Sequence, residues 1–500
     1  MNLIKSNIDS LMAALLGAVI IIGLTLHSGL GISPDSIYYM SAADNFIAGK
    51  GFYQFDAKPF VMFPVFYPVA IAMVKFITGA LFIKWAPVFN ALLFGLAIFI
   101  AGLILQKSNI NKFIKWAALL LLITSPSLLE DFTMLWSETL FISEIVLFFY
   151  VSSFYFEKNK VGALIAMALL AAIIADTRLA GVTIIATGGL LILLEHKIIR
   201  RKKIIHFLMF GFISISLFVI NLIRNALVSS TLTGNRQKGV TPLLENLKYY
   251  GLVLSDWFSI TKWLQISTVV MAIVFLVFIV MLFLLLVWKS KKQHYFEKVS
   301  LVFAFIYSIF MLAVATISRF ETMNNRLLSP LFIPIVFVFV FFIMNVLEGL
   351  KNKWYKIAFS FFIIFIFIFT ATHYFKYTLA TYQENKQGGI GGYSDDDWLI
   401  TSGLLNYLQN TPAFFKSNKV IFSNAAHAIY FKTGQQSQIL PERKYLSLVH
   451  EFNKMPSQIL VWFNNEDNPE VLTLAEVSES KNLQIIGKFN DGVIYLCTSK

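Results

Sequence analysis

Eleven apolar stretches, at 11–30, 85–105, 116–128, 138–155, 161–176, 178–195, 204–224, 264–288, 299–318, 327–347 and 355–377, fill most of the first three quarters of the chain. Crossing a bilayer takes about 20 predominantly apolar residues, and backbone at that depth has to satisfy its own hydrogen bonds inside a helix. This pattern therefore predicts an α-helical polytopic membrane protein with about eleven transmembrane helices. Composition points the same way: 57% of the 500 residues are hydrophobic and 14% charged, which a water-soluble globular chain of this length does not reach. A start of "MNLIKSNIDS" followed by an apolar run, with no small-residue cleavage pattern, reads as an uncleaved anchor.

A twelfth apolar stretch, 64–83, interrupted by Pro64 and Pro68, decides the topology. The basic clusters at 107–115, 157–160, 196–203, 289–298 and 350–356 share one side with Lys5 only if 64–83 does not cross. Because Lys and Arg concentrate in cytoplasmic loops, 64–83 is expected to be juxtamembrane or re-entrant, with the N-terminus cytoplasmic. The same clustering explains the net charge of +13 without nucleic acid as a partner. Residues 1–377 then form a transmembrane domain with a long first outside loop, 31–84. Residues 378–397 read as a polar, Gly-rich linker. Residues 398–500 read as a small extracytoplasmic α/β domain, with a helical "WLITSGLLNYLQN" and β-type runs "KVIFSN", "QILVWF", "LQIIGKF" and "GVIYLC". One cysteine, Cys497, excludes an intrachain disulfide.

Acids and bases gather in the segments assigned to the outer face: Asp35, Asp44, Lys58, Asp131, Glu138, Asp176, Arg178, Arg224, Arg319 and Arg326. Charges at a membrane face are costly and default to functional candidates. In "GISPDSIYYMSAADNFIAGKGF" (31–52), Ser33 reads as an N-cap, Pro34 as the first helical residue and Asp35 as a first-turn acid, with Gly49 and Gly51 as the stop. One acid among several cations near lipid suits a substrate carrying an interfacial phosphate: the cations hold the phosphate as a leaving group and the acid removes a hydroxyl proton. The plainer reading of Asp35 is a charge that favours its helix dipole. The plainer reading of Glu138 is a helix cap, that of Arg178 and Arg224 a span end, and that of Asp44 a polar-face residue. Asp131 and Asp176 read as structural, and His373 and His427 as solvated. No Walker A, H-E-x-x-H or G-x-S-x-G motif is present, and no metal-ligand cluster is visible.

"PDSIYYMSAADNFIAGKGF", "KPFVMFPVFYPVAIAM", "SETLF", "TRLAG" and "NNRLLSPLFIP", in that order over roughly residues 10–347, resemble the GT-C superfamily of integral-membrane glycosyltransferases. The likeness is to bacterial relatives of protein O-mannosyltransferases and of the lipid A aminoarabinose transferase. It implies transfer of a sugar from a polyprenyl-phosphate donor to a lipid, glycan or protein hydroxyl, with inversion, at the outer face of the bacterial cytoplasmic membrane. It also implies Asp35 as the catalytic base and Lys58, Arg178 and Arg326 as donor-phosphate ligands. Glu138, Asp44, Arg319, Arg224 and Tyr38 are secondary candidates, and no cofactor or metal is expected. Asp35 is followed by Ser36 where eukaryotic protein mannosyltransferases carry an adjacent acid. The rival from another class is a transporter or flippase for a lipid-linked saccharide, whose polar groups would sit near the midplane in paired repeats. A non-catalytic scaffold is a third reading, and it would tolerate Asp35→Asn.

Overall fold

The structure is a computed structural model describing residues 7–79, 82–234, 236–259, 263–289, 294–318, 322–390, 397–464, 466 and 468–500. The chain divides into two compact units: residues 1–30, 61–67 and 80–387, and residues 31–60, 68–79 and 388–500. The first is a helical bundle. Among the described residues seven of its helices are long and apolar enough to cross a membrane: Phe82–Lys107, Ser137–Lys158, Arg200–Ser229, Thr268–Val287, Tyr295–Ile317, Asn325–Gly349 and Lys353–Gly388. This is a multi-pass membrane protein.

The helices depart from the expected spans in three places. Where one span is predicted at 116–128, Lys112–Ile123 is followed by Pro126–Phe132 at a 49° bend. The local cause is Ser125, whose hydroxyl accepts from the Leu128 amide, with Pro126 opening the new helix. Ile8–Leu24, Val161–Thr177, Leu179–Leu194 and Phe66–Thr78 are apolar but shorter, so length alone does not assign them as crossings. The last predicted span does not stop at 377: Lys353–Gly388 is one 36-residue helix that runs into the expected linker. Asn385 on that extension is buried and donates to the Leu24 carbonyl at 3.3 Å, so a tertiary contact carries the helix past its apolar part.

The second unit combines residues 31–60 and 68–79 with residues 388–500. Its sheet runs β1 (Ile421–Ser423), β2 (Gln438–Ile439), β3 (Ser457–Phe463), β4 (Lys481–Lys488) and β5 (Gly492–Ser499), in spatial order β2-β1-β3-β5-β4. β1 is parallel to β2 and β3, whereas β5 is antiparallel to β3 and β4. Alternate β3 residues serve opposite faces, as strand geometry requires. Ile459, Val461 and Phe463 pack with Leu404, Leu405, Leu408 and Ile429. Leu460 packs with Phe422, Phe452, Val477 and Cys497, which leaves the single thiol buried and free. The expected helix at 398–410 is split at Ser402, whose hydroxyl both caps Gly403–Asn410 through the Leu405 amide and donates to Asp491.

Candidate active site

Asp35 stands where the sequence puts it, in the first turn of the Pro34–Ile47 helix of the second unit. Ser33 is extended (φ −96°, ψ 173°), Pro34 is the first helical residue, and the Ser33 amide donates to the Ser36 hydroxyl at 3.0 Å. Ser36 thus closes the cap. The helix ends at Ala48. Gly49 and Gly51 follow with φ of 72° and 86°, a left-handed backbone that glycine adopts without a Cβ clash. Asn45 then donates to the Tyr53 carbonyl at 2.8 Å and ties the helix to the next turn.

That turn presents Lys58. Tyr53 bridges Pro59, the Phe60 amide donates to the Phe52 carbonyl at 3.0 Å, and Ala57 sits in the left-handed region at φ 63°. The organising side chain is one the sequence reading passed over. Asp56 is buried, accepts the Lys58 amide at 3.2 Å, and pairs with the Lys58 ammonium at 3.1 Å. Half of the Lys58 side chain stays exposed, so the cation is oriented and still reachable. The signal available in the sequence was the Asp-x-Lys spacing of a local side-chain-to-backbone turn.

Asp44 keeps 44% of its side-chain surface exposed, as a polar-face residue does, and it also makes tertiary contacts. Its carboxylate pairs with Lys75 at 2.5 Å and accepts from the Tyr430 hydroxyl at 3.1 Å, joining three separate segments of the second unit. His427, read as solvated, is buried instead. Its ring lies 5.3 Å from the Tyr38 ring and 4.6 Å from the Phe55 ring, with the Tyr430 ring 6.0 Å beyond Phe55. Burial pushes the His427 imidazole down to about 4, against the opposing pull of Asp56.

In the first unit the structure brings three predicted residues together. Glu138, in the first turn of Ser137–Lys158, has a fully buried side chain. A single carboxylate oxygen lies 2.6 Å from Arg178 Nη1 and 2.5 Å from Arg326 Nε. Arg178 also donates to the Ser137 hydroxyl at 2.8 Å, and the Arg326 guanidinium lies 4.2 Å from the Trp136 ring centre. Arg178 is extended between the Val161–Thr177 helix and a tight turn at 179–181. Gly181 permits that turn, because a Cβ there would fall 2.3 Å from the Ile174 carbonyl oxygen. The "NNR" segment is wired on both sides of Arg326. Asn324 caps the helix through the Leu327 amide, and Asn325 accepts from the Trp257 indole at 2.7 Å and donates to Glu130 at 2.9 Å. Two guanidiniums share one Glu138 charge, and Asp131, buried in the adjoining Pro126–Phe132 helix, acts on Arg326 through space. The arginine side chains keep 17% and 12% of their surface exposed, against none for Glu138, so the cations are the members a ligand can reach.

Arg224 stands apart from this triad. It donates to Asn225, which donates in turn to the carbonyls of Val61 and Leu232. Asp176, in the field of Arg224, accepts the Val65 amide. These residues hold the 61–65 segment. Arg319 lies outside the described residues. Among the described residues no group of three or more His, Cys, Asp or Glu is placed to share a metal ion.

Neither a family model nor a curated relative matches the sequence. Solved structures do match. ArnT from Cupriavidus metallidurans in the apo state is similar over 96% of this chain and 96% of its own, at 12% identity and a TM-score of 0.58. The same enzyme bound to undecaprenyl phosphate is similar over 97% of each chain, at 12% identity and a TM-score of 0.56. An oligosaccharyltransferase from Archaeoglobus fulgidus, in a complex with zinc and sulfate, matches 90% of this chain and 68% of its own, at 12% identity and a TM-score of 0.51. The chain shares the fold of these solved structures. The likeness takes in both the bundle and the C-terminal sheet, since almost no part of the chain is left out.

Proposed function

We propose that this chain is a membrane glycosyltransferase that moves a sugar from a polyprenyl-phosphate donor to an acceptor hydroxyl at the extracytoplasmic face. The observation that carries the reading is the near-full-length likeness to ArnT, a structure of which holds undecaprenyl phosphate. Asp35 supports it by standing at a rigidly capped helix start outside the apolar bundle helices. In this reading Asp35 takes the proton of the acceptor hydroxyl. The oxygen forms a bond to the anomeric carbon as the bond from that carbon to the phosphate oxygen breaks, which inverts the centre. The leaving polyprenyl phosphate takes the electron pair and is stabilised by Lys58, Arg178 and Arg326. No metal is required in this scheme.

The topology belongs to the same proposal: eleven spans, a cytoplasmic N-terminus and an outer C-terminal domain. Each of the eleven expected stretches is helical at least in part. The twelfth, Phe66–Thr78, has 13 residues and from Pro68 onward belongs to the second unit. At 1.5 Å per residue it spans about 20 Å, less than the roughly 30 Å of a hydrocarbon core.

The test is Asp35→Asn in purified, membrane-reconstituted protein, supplied with lipid extract from the native host as donor source. Asn keeps the size and the helix-start hydrogen bonding and removes basicity. Transfer should fall by about 10²–10⁴-fold, the usual contribution of general acid–base help. Near-normal transfer would return Asp35 to a helix-end charge.

A further inference from the structure

Two helices of the second unit meet at two points, and one of them carries Asp35. The Ala426–Thr433 helix is set in the core beside the sheet through Ala428 and Ile429, which pack with Ile459, Val461 and Phe463. Its His427 and Tyr430 stand three residues apart and so share one face. His427 meets Tyr38 of the Pro34–Ile47 helix ring to ring, at 5.3 Å and 74°. Tyr430 donates its hydroxyl to Oδ2 of Asp44 on the same helix at 3.1 Å, while Lys75 takes Oδ1. Tyr38 and Asp44 are six residues apart, about 9 Å along the helix axis.

One contact would leave the Pro34–Ile47 helix free to roll about its axis. A second contact a turn and a half away removes that freedom. Tyr430 is suited to the task, because a phenol has two side-chain torsions where lysine has a flexible four-carbon stem. Its ring lies 6.0 Å from Phe55, and burial together with the Asp44 carboxylate pushes the phenol up from its ordinary value, so it stays a donor through the neutral range. Roll matters to a base. Side chains reach about 5–6 Å from a helix axis, so a roll of about 10° carries a carboxylate roughly 1 Å off its line. A misplacement of that size costs on the order of 10²-fold in rate.

We infer that Tyr430 is a positioning residue for Asp35: its hydroxyl, locked to Asp44, fixes the roll of the Pro34–Ile47 helix and with it the direction in which the Asp35 carboxylate meets the acceptor hydroxyl. The inference rests on the glycosyltransferase reading. Tyr430 acts through Asp44 and the helix, so it bears on the rate of the chemical step and leaves donor binding to other residues.

The test is Tyr430→Phe in full-length protein in lipid nanodiscs, made both in wild type and in Asp35→Asn. Phe keeps the ring beside Phe55 and removes only the hydroxyl. Hydrogen exchange at the amides of 36–47 should quicken by about 5–10-fold, the weight of one such bond, with β3 and β5 unchanged. In turnover with the host lipid extract, kcat should fall by about tenfold, short of the full loss because the contact of His427 with Tyr38 remains. KM for the lipid-linked donor should stay within twofold. With no base left to aim, adding Tyr430→Phe to Asp35→Asn should change the residual rate by less than twofold, a strongly non-additive cycle. A purely structural loss would lower both backgrounds by the same factor, and that result overturns the inference. A kcat within twofold of wild type, or unchanged exchange over 36–47, overturns it as well. Should Tyr430→Phe fail to fold, Asp44→Ala removes the acceptor of the same bond and takes its place with the same expected outcomes. Exchange is read without turnover, so its failure is distinct from that of the glycosyltransferase reading, which Asp35→Asn alone decides.

Discussion

Glu138→Gln tests whether the Arg178–Glu138–Arg326 triad is one electrostatic unit. One carboxylate oxygen serves both guanidiniums, at 2.6 and 2.5 Å, and the Glu138 side chain has no exposure to solvent. Because both nitrogens lie that close to a single atom, they are no more than about 5 Å apart. Gln keeps an accepting oxygen but removes the charge that separates them. Two unit positive charges at about 5 Å repel by roughly 3 kcal/mol at an effective dielectric of about 20. Breaking a buried ion pair from one side generally costs about 3–5 kcal/mol, so the two estimates agree in size. In detergent-solubilised full-length protein this should lower the apparent melting midpoint by on the order of 5 °C. The diagnostic measurement is the double variant. Removing one of the repelling cations, as in Glu138→Gln with Arg326→Gln, should recover part of the loss, giving a strongly non-additive cycle. A midpoint within 1 °C of wild type, or strict additivity of the two single changes, would refute the reasoning.

Three further outcomes are expected besides the loss of transfer in Asp35→Asn. Lys58→Ala and Arg326→Ala should each weaken use of the lipid-linked donor by about tenfold, the scale of one charge-assisted contact, while EDTA leaves the wild-type rate within twofold; a rate abolished by EDTA and restored by a divalent ion would count against cations as the sole phosphate ligands. His427 is held at about 4 by burial, below its ordinary value near 6.5. Above pH 6.5 both folded and unfolded states are neutral there, whereas below it the unfolded chain gains a proton first, so wild type should lose up to about 3 kcal/mol relative to His427→Phe between pH 6.5 and 4; parallel pH profiles of the two proteins would dismiss this. In a Cys497→Ser background, cysteines at positions 58 and 84 should both react with an impermeant reagent applied from outside, and labelling of position 84 only after permeabilisation would mean that the 64–83 stretch crosses.

What the sequence made legible was whatever local chemistry decides. Ser33, Pro34 and Asp35 start their helix because capping and ring geometry act within one turn, and Gly49 and Gly51 end it for the same reason. The strands β1, β3, β4 and β5 were visible as β-type runs, while β2, only two residues long, carries too little pattern to read. Apolar runs located the helices but not their breaks. The bend at Ser125 lies inside an apolar stretch, and the Lys353–Gly388 helix outlasts its apolar part through the contact of Asn385 with Leu24. Candidate site residues were found wherever a charge stood at the end of a span, as with Glu138, Arg178 and Arg326. Their partnership was not visible, because 41 residues separate Ser137 from Arg178 and 188 separate Glu138 from Arg326. The bond from Tyr430 to Asp44 and the burial of His427 were hidden on the same ground, since Tyr430 is 386 residues from Asp44.

The placement of Asp44 also changes what the C-terminal domain is for. A 14-residue helix in water is marginal by itself, since helices shorter than about 12–15 residues gain little from their own hydrogen bonds. A general base must nonetheless be held within about 3 Å of the proton it removes. The Pro34–Ile47 helix meets that demand with three attachments. Its cap is closed by Ser36, its end is tied by Asn45 to Tyr53, and its middle is held through Asp44 by Lys75 and Tyr430. The last attachment comes from the C-terminal part of the chain, as do the residues packed against Tyr38. Residues 31–60, 68–79 and 388–500 accordingly fall into one compact unit although most of the bundle separates them in sequence. The C-terminal residues therefore also hold the helix that carries Asp35, the proposed base.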